Sequence, residues 1–284
     1  TSVKAGKNAK FELYGDITNF FTCNLQISLS VSYCATPYNA TCLCANKNAL
    51  ATYAGCLAFD NRNTTTAVNY MMNYCEENGN VTVEKNWYEK SYQYFLSNAK
   101  TEKEIPNFNK TIPIDVPFKL DEAEMKLYER AYKQFLGNYD DSLYYGAGIL
   151  GYWLLIMCIG AIVNWGKVMF PGLTKKLTSK PINLWRQYVS MPATFRKKKA
   201  EELRIFKFFD SLIPSRFESI VIFLFYIVVL MIHAMNMHYV DGDPVFENNK
   251  YNSQARNVAD RTGITGTIMM PLVFLFSSRN NFLQ

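Results

Sequence analysis

Arg261-Thr-Gly-Ile-Thr-Gly-Thr-Ile-Met-Met-Pro-Leu-Val-Phe-Leu-Phe-Ser-Ser-Arg279-Asn-Asn-Phe-Leu283 is the stretch around which the chain is organised. Seventeen uncharged residues separate the two arginines. At about 1.5 Å of helical rise each they reach about 25 Å, close to the ~30 Å hydrocarbon core of a bilayer. The stretch therefore reads as a short spanning helix with an arginine at each mouth. Guanidinium groups at that depth either snorkel to lipid phosphates or hold an anionic group. Pro271 removes one rung of the helical ladder, which spanning helices tolerate when neighbours satisfy the freed carbonyl.

Outward from this stretch the chain divides into unlike halves. Residues 1–142 hold fourteen Lys+Arg against sixteen Asp+Glu, net −2, and no long apolar run. Residues 143–284 hold sixteen against eight, net +8, together with every long uncharged stretch. The cysteines divide the same way: Cys23, Cys34, Cys42, Cys44, Cys56 and Cys75 crowd the first half, and Cys158 stands alone in an apolar run, read as a packing residue. An even set in a small Asn-rich segment argues for disulfides and an oxidising compartment. The competing zinc reading has only one C-x-C and no nearby His to support it. Excluding a Cys42–Cys44 bond leaves twelve pairings open. Four N-x-T sequons, at Asn39, Asn63, Asn80 and Asn109, fall in the same half and mark expected glycosylation sites of an exterior domain. The chain opens at Thr1 with no leader, so a signal peptide is expected to have been removed or to lie outside these residues.

The expected fold is mainly α. A small disulfide-stapled helical exterior domain, 1–142, precedes an α-helical transmembrane bundle with three spans and the N-terminus outside. Its apolar core is expected from Phe20, Phe21 and the run Leu25 to Val31. Pro106, Pro113 and Pro117 make 99–118 an extended connector. Asp121 then caps a helix that Gly137 stops, with Met125, Tyr128, Tyr132, Phe135 and Leu136 on one face. The acids Asp121, Glu122, Glu124 and Glu129 read as a solvated face rather than an iron-capture face. Tyr144–Val163 gives the first span (143–165), with Tyr144, Tyr145 and Trp165 as interfacial anchors.

The segment 166–218 has twelve Lys+Arg against four acids. It is placed in the cytoplasm by the positive-inside rule, and nucleic acid is set aside as a partner because spans flank it. Leu203, Phe206, Phe209 and Leu212, every third residue, suggest a helix on the inner leaflet in contact with membrane lipids. The second span covers 219–238. His233 and His238 lie about 140° apart on it at 100° per residue, so one helix cannot aim both at one metal. A hydrogen-bonded histidine near the exterior interface is the expected role. An exterior loop, 239–262, carries Asp241 and Asp243, hard ligands that suit a ferric ion but are also common turn residues. The third span fills 263–284.

The order Arg, small-residue turn, Pro-containing apolar run and Arg-Asn-Asn-Phe-Leu resembles the opening of the membrane domain of fungal ferric reductases, relatives of the NADPH oxidases. The spacing C-x10-C-x7-C-x-C-x11-C-x18-C is similar to their exterior domain, whereas a fungal haem-uptake module normally has eight cysteines. The resemblance implies a multi-pass plasma-membrane reductase. Such a protein passes electrons from cytosolic NADPH through FAD and two haem b groups to extracellular ferric or cupric ions or chelates. Arg261 and Arg279 would lie near haem propionates. The haem-ligating histidine pairs and the FAD and NADPH half are expected after Gln284. A homo-oligomer is left open. The reading from another class is a non-enzymatic, membrane-anchored exterior domain that captures a ligand or partner.

Overall fold

Two crossed cross-links and one local one shape the first part of the chain. Cys23–Cys56 ties helix α1 (Ile17–Ser30) to α3 (Lys47–Ala58), Cys44–Cys75 ties α2 (Ala40–Ala45) to α4 (Thr65–Gly79), and Cys34–Cys42 closes a short loop. Among the twelve pairings left open by spacing, this is the one the computed structural model contains. It describes residues 13–36, 39–176, 179–195, 202–205 and 209–277. The two long bonds, with sequence separations of 33 and 31 residues, restrain the unfolded chain by about 3–4 kcal/mol each.

Local chemistry sets the helix ends. Asn39 caps α2 by accepting from the Cys42 amide, Asn46 caps α3 by accepting from Asn48 and Ala49, and Thr64 caps α4 by accepting from Ala67. Asn80, in the left-handed region at φ 50°, ends α4. Phe20, Cys23 and Ile27 recur on one face of α1 and are buried against Tyr53 and Leu57 of α3 and Met71 of α4. Helix α5 (Trp87–Asn98) lies on α3, where Gly55 leaves room for the Phe95 ring; any Cβ there would collide with it.

The stretch 99–118 is more than a connector. It folds back on the core, with the Phe118 amide shared between Tyr33 Oη (3.0 Å) and Thr52 Oγ1 (2.9 Å) and the Phe118 ring stacked on Phe108.

Asp121 caps the next helix as expected, accepting from Ala123 and Glu124. Gly137 does not stop it: α6 runs from Glu122 to Met169. One glycine in a helix interior costs only about 1 kcal/mol. The weak helix formers after it are held by tertiary bonds, Asp140 accepting from the Tyr14 and Gly15 amides and Asn138 bonding to the last helix. Glu129 is not part of a solvated face either. It pairs with buried Arg62 at 2.6 Å, and Arg62 also donates to the Met125 carbonyl at 3.1 Å.

The chain separates into two compact units, Thr1–Asp141 with Asn236–Arg261, and Ser142–Met235 with Thr262–Gln284. In the second unit, Tyr152 of α6 donates to the Val221 carbonyl of α9 (Arg216–Ala234), and Trp153 packs on Phe225. Gly146 lets Ile268 of α10 (Lys250–Ser277) come close. Ser215 and Glu218 form a capping box at the start of α9. Short helices α7 (Pro171–Lys176) and α8 (Lys180–Trp185) follow α6.

Two sequence expectations are corrected. Leu203, Phe209 and Leu212 are not on an inner-leaflet helix: β1 (Glu202–Ile205) and β2 (Phe209–Leu212) pair antiparallel, with Arg204 opposite Asp210, and Phe206 lies outside the described residues. A three-residue spacing drifts 60° per step on a helix, so the four apolar residues never shared a helical face. The second half of the 239–262 loop is helical, because α10 begins at Lys250 behind an Asn249 cap that accepts from Asn252. Among the described residues, two helices, Glu122–Met169 and Arg216–Ala234, are long and apolar enough to cross a membrane.

Burial raises the affinity of the Glu129 carboxylate for its proton, but Lys133 and Arg62 outweigh this and hold it below the ordinary value. A depressed carboxylate stabilises the fold above its unfolded value of about 4.3 and loses that contribution as pH falls through the lower folded value. Acid unfolding followed by near-ultraviolet circular dichroism should therefore show a dependence below about pH 4 that Glu129→Gln flattens. Arg62→Met should cost about 1–3 kcal/mol at neutral pH by removing the buried partner of Glu129 and the donor to the Met125 carbonyl, with Lys133 still paired to the carboxylate.

Candidate functional site

Helix α10 carries buried polar residues at four-residue intervals: Ser253, Asn257, Arg261 and Thr265. A spacing of four keeps them on one face. In the first unit this face meets Asn138 of α6. The Asn138 side chain donates to the Asn257 carbonyl at 3.0 Å and accepts from Arg261 Nη2 at 2.6 Å. The Arg261 side chain is 0 % exposed, so its charge is enclosed and dressed by a charge-assisted hydrogen bond. Sequence reading singled out Arg261 but missed Asn138 and Asn257. The four-residue recurrence of polar side chains was the signal available for them.

Enclosure bears on the expected haem contact. The contact with Asn138 takes one guanidinium nitrogen, Nη2, and in the described residues Arg261 serves as a tie between α6 and α10. Arg279 lies outside the described residues. His233 Nδ1 meets the Val229 carbonyl at 2.8 Å and Nε2 meets Thr265 Oγ1 at 3.3 Å. This is the hydrogen-bonded role expected from the sequence. His238 is exposed in the following turn.

Asp241 and Asp243 do not act together. Asp243 is buried, and its two carboxylate oxygens accept from the Val245 amide (2.9 Å) and from Ser253 Oγ (3.3 Å). Asp241 is exposed. Asn248 completes the turn: its side chain accepts from the Gly242 amide and Tyr239 Oη, and its amide donates to the Asp243 carbonyl. Gly242 sits at φ +77°, where a side chain would be strained. The turn reading of Asp-Gly-Asp-Pro accounts for Asp243. Among the described residues no group of three or more His, Cys, Asp or Glu could hold a metal ion. The sequon asparagines Asn39, Asn63, Asn80 and Asn109 are all exposed, and Cys158 is a free thiol.

The chain is 42% identical over 173 residues to a "Probable ferric reductase transmembrane component" of Candida albicans, covering 60% of this chain and 26% of that protein. It is equally similar to "Ferric/cupric reductase transmembrane component 1" of Candida albicans, of which it covers 23%. It is 28% identical over 191 residues to "Ferric/cupric reductase transmembrane component 2" of Saccharomyces cerevisiae. The chain thus spans about a quarter of the length of the curated relatives it matches. No family model and no solved structure matches it.

Two variants separate the roles in this region. Asn138→Leu should destabilise the protein by about 1–3 kcal/mol by removing the acceptor of Arg261 Nη2 and the donor to the Asn257 carbonyl, measured as a loss of thermal stability, while Asn138→Asp should retain most of it. Asp243→Ala should expose the 239–249 turn to proteolysis, whereas Asp241→Asn should leave its cleavage rate unchanged.

Proposed function

We propose, from the relation of this chain to the fungal ferric reductases, that it is the front portion of a plasma-membrane metalloreductase. The complete protein moves electrons from cytosolic NADPH through FAD and two b-type haems to ferric or cupric ions or their chelates outside the cell. The observation that carries the reading is the 42% identity over 173 residues to Candida reductase components. The disulfide-linked first unit and the two long apolar helices support it.

In this proposal residues 1–142 form the exterior cysteine-rich domain, with glycans on Asn39, Asn63, Asn80 and Asn109. The spans are 143–165, 219–238 and 263–284, and the basic segment 166–218 is cytosolic. Bound haem supplies one-electron transfer, and the histidines that ligate it lie outside this chain. This chain's contribution is positional. Asn138 and Arg261 fasten α10 to α6 and so fix the frame on which the haem-carrying helices pack. The guanidinium of Arg279 is the side chain proposed to face a propionate. NADPH, FAD and the metal substrate engage other parts of the protein, and no nucleic acid is involved.

The test uses the full-length protein in membranes. It should show the paired absorption bands of six-coordinate haem and reduce a ferric chelate when NADPH is added. Arg279→Ala should weaken haem retention while the exterior domain stays folded. Absence of both the bands and the reduction would favour a membrane-anchored binding domain instead.

A further inference from the structure

Between the two candidate spans, the segment from α8 to residue 195 leaves an unusual set of side chains uncovered. Trp185, Tyr188, Met191 and Phe195 are each more than half exposed, with Met191 at 70%. Exposed Lys180 and Arg186 stand among them. Large apolar and aromatic groups exposed together along one short segment are costly to leave in water and mark a contact surface. Its arginine and lysine, with the polar backbone of a short irregular segment, exclude it from hydrocarbon. The layer that accepts both kinds of group is the headgroup region, where Trp and Tyr rings and basic side chains concentrate.

The segment is also fixed at the correct height. Trp185 packs edge-on against Phe217 at 6.0 Å, and Arg216 Nη1 donates to the Tyr188 carbonyl at 3.2 Å. The Arg216 amide donates to the Pro192 carbonyl and the Thr194 amide to the Pro214 carbonyl, both at 3.0 Å. Thr194 Oγ1 lies 2.6 Å from Ser219 Oγ. These bonds clamp residues 185–194 to the first turn of α9, the turn at which the apolar stretch Ile220–Leu230 begins. Where α9 enters the bilayer, this segment therefore lies at its surface.

From this we infer that residues 180–195 form an interfacial anchor that binds the anionic phospholipid headgroups of the inner leaflet, with Trp185, Tyr188, Met191 and Phe195 seated among the glycerol groups and Lys180 and Arg186 on the phosphates. The twelve Lys+Arg against four acids between residues 166 and 218 give the charge complementarity that selects anionic over neutral lipid. The inference rests on the membrane-spanning reading proposed above.

The experiment places the full-length protein, with Cys158→Ser, in lipid nanodiscs and attaches a spin label at Tyr188→Cys, Met191→Cys or Phe195→Cys in turn. Collision with oxygen, which partitions into lipid, is compared with collision with a water-soluble nickel chelate. A label at Phe223→Cys, on the exposed face of α9, serves as the hydrocarbon control. The three labels should show less nickel access and more oxygen access than a label in solution, and more nickel access than the label at 223, and should move deeper when phosphatidylserine replaces part of the phosphatidylcholine. Lys180→Glu with Arg186→Glu should abolish that response. Free access of the nickel chelate to the three labels, exclusion of both reagents by covering protein, or indifference to phosphatidylserine would each overturn the inference. Nickel access at position 223 as well would instead bring down the spanning reading, and this inference with it.

Discussion

Apolar side chains that the described residues leave uncovered set the terms for the second half of this protein. Leu154, Leu155 and Ile162 of α6 and Phe223 and Leu230 of α9 are largely exposed. At about 25 cal/mol per Å² of apolar surface, two such helices cannot be left in water, and a bilayer supplies the missing cover. Once α6 and α9 are given to the membrane, the helical form of both is compulsory, because each backbone group must find its partner within the segment. The contacts between them are then free to be polar at single points, as at Tyr152 on the Val221 carbonyl.

The first half solves a different problem. Around a buried core that includes Phe20, Tyr53, Leu57 and Met71, Cys23–Cys56 and Cys44–Cys75 bind four helices whose ends are already defined by Asn39, Asn46 and Thr64. The return of 99–118 across Tyr33 and Thr52 seals one side. Residues 236–261 belong with this unit, and Asn138 and Arg261 fasten α10 to α6 within it. Both helices also continue into the second unit.

What the sequence displayed, it displayed through composition and period. Six cysteines and their company of asparagines announced a cross-linked domain, and uncharged runs between Tyr144 and Val163 and from Ile220 onward announced the two apolar helices. Spacing could not choose among disulfide pairings, because pairing depends on which helices meet. Gly137 misled because a local propensity of about 1 kcal/mol is weaker than the tertiary bonds of Asn138 and Asp140. Leu203 to Leu212 misled because a three-residue repeat matches neither helix nor strand. The start of α10 was hidden because its buried face is polar. Ser253 and Asn257 carry no hydrophobic signal, although their interval of four places them with Arg261. Asp243 suited either a metal ligand or a turn residue by its type alone, and its hydrogen bonds with Val245 and Ser253 place it in a turn.

The account stands or falls on which side of the membrane each half occupies. Intact cells carrying the full-length protein can be treated with an amine reagent that cannot cross a membrane, and the modified lysines read by mass spectrometry. The account predicts modification at exposed Lys85 and Lys103 of the cysteine-rich domain and none at Lys180 until the cells are opened. Modification of Lys180 on intact cells, with Lys85 and Lys103 spared, would contradict it.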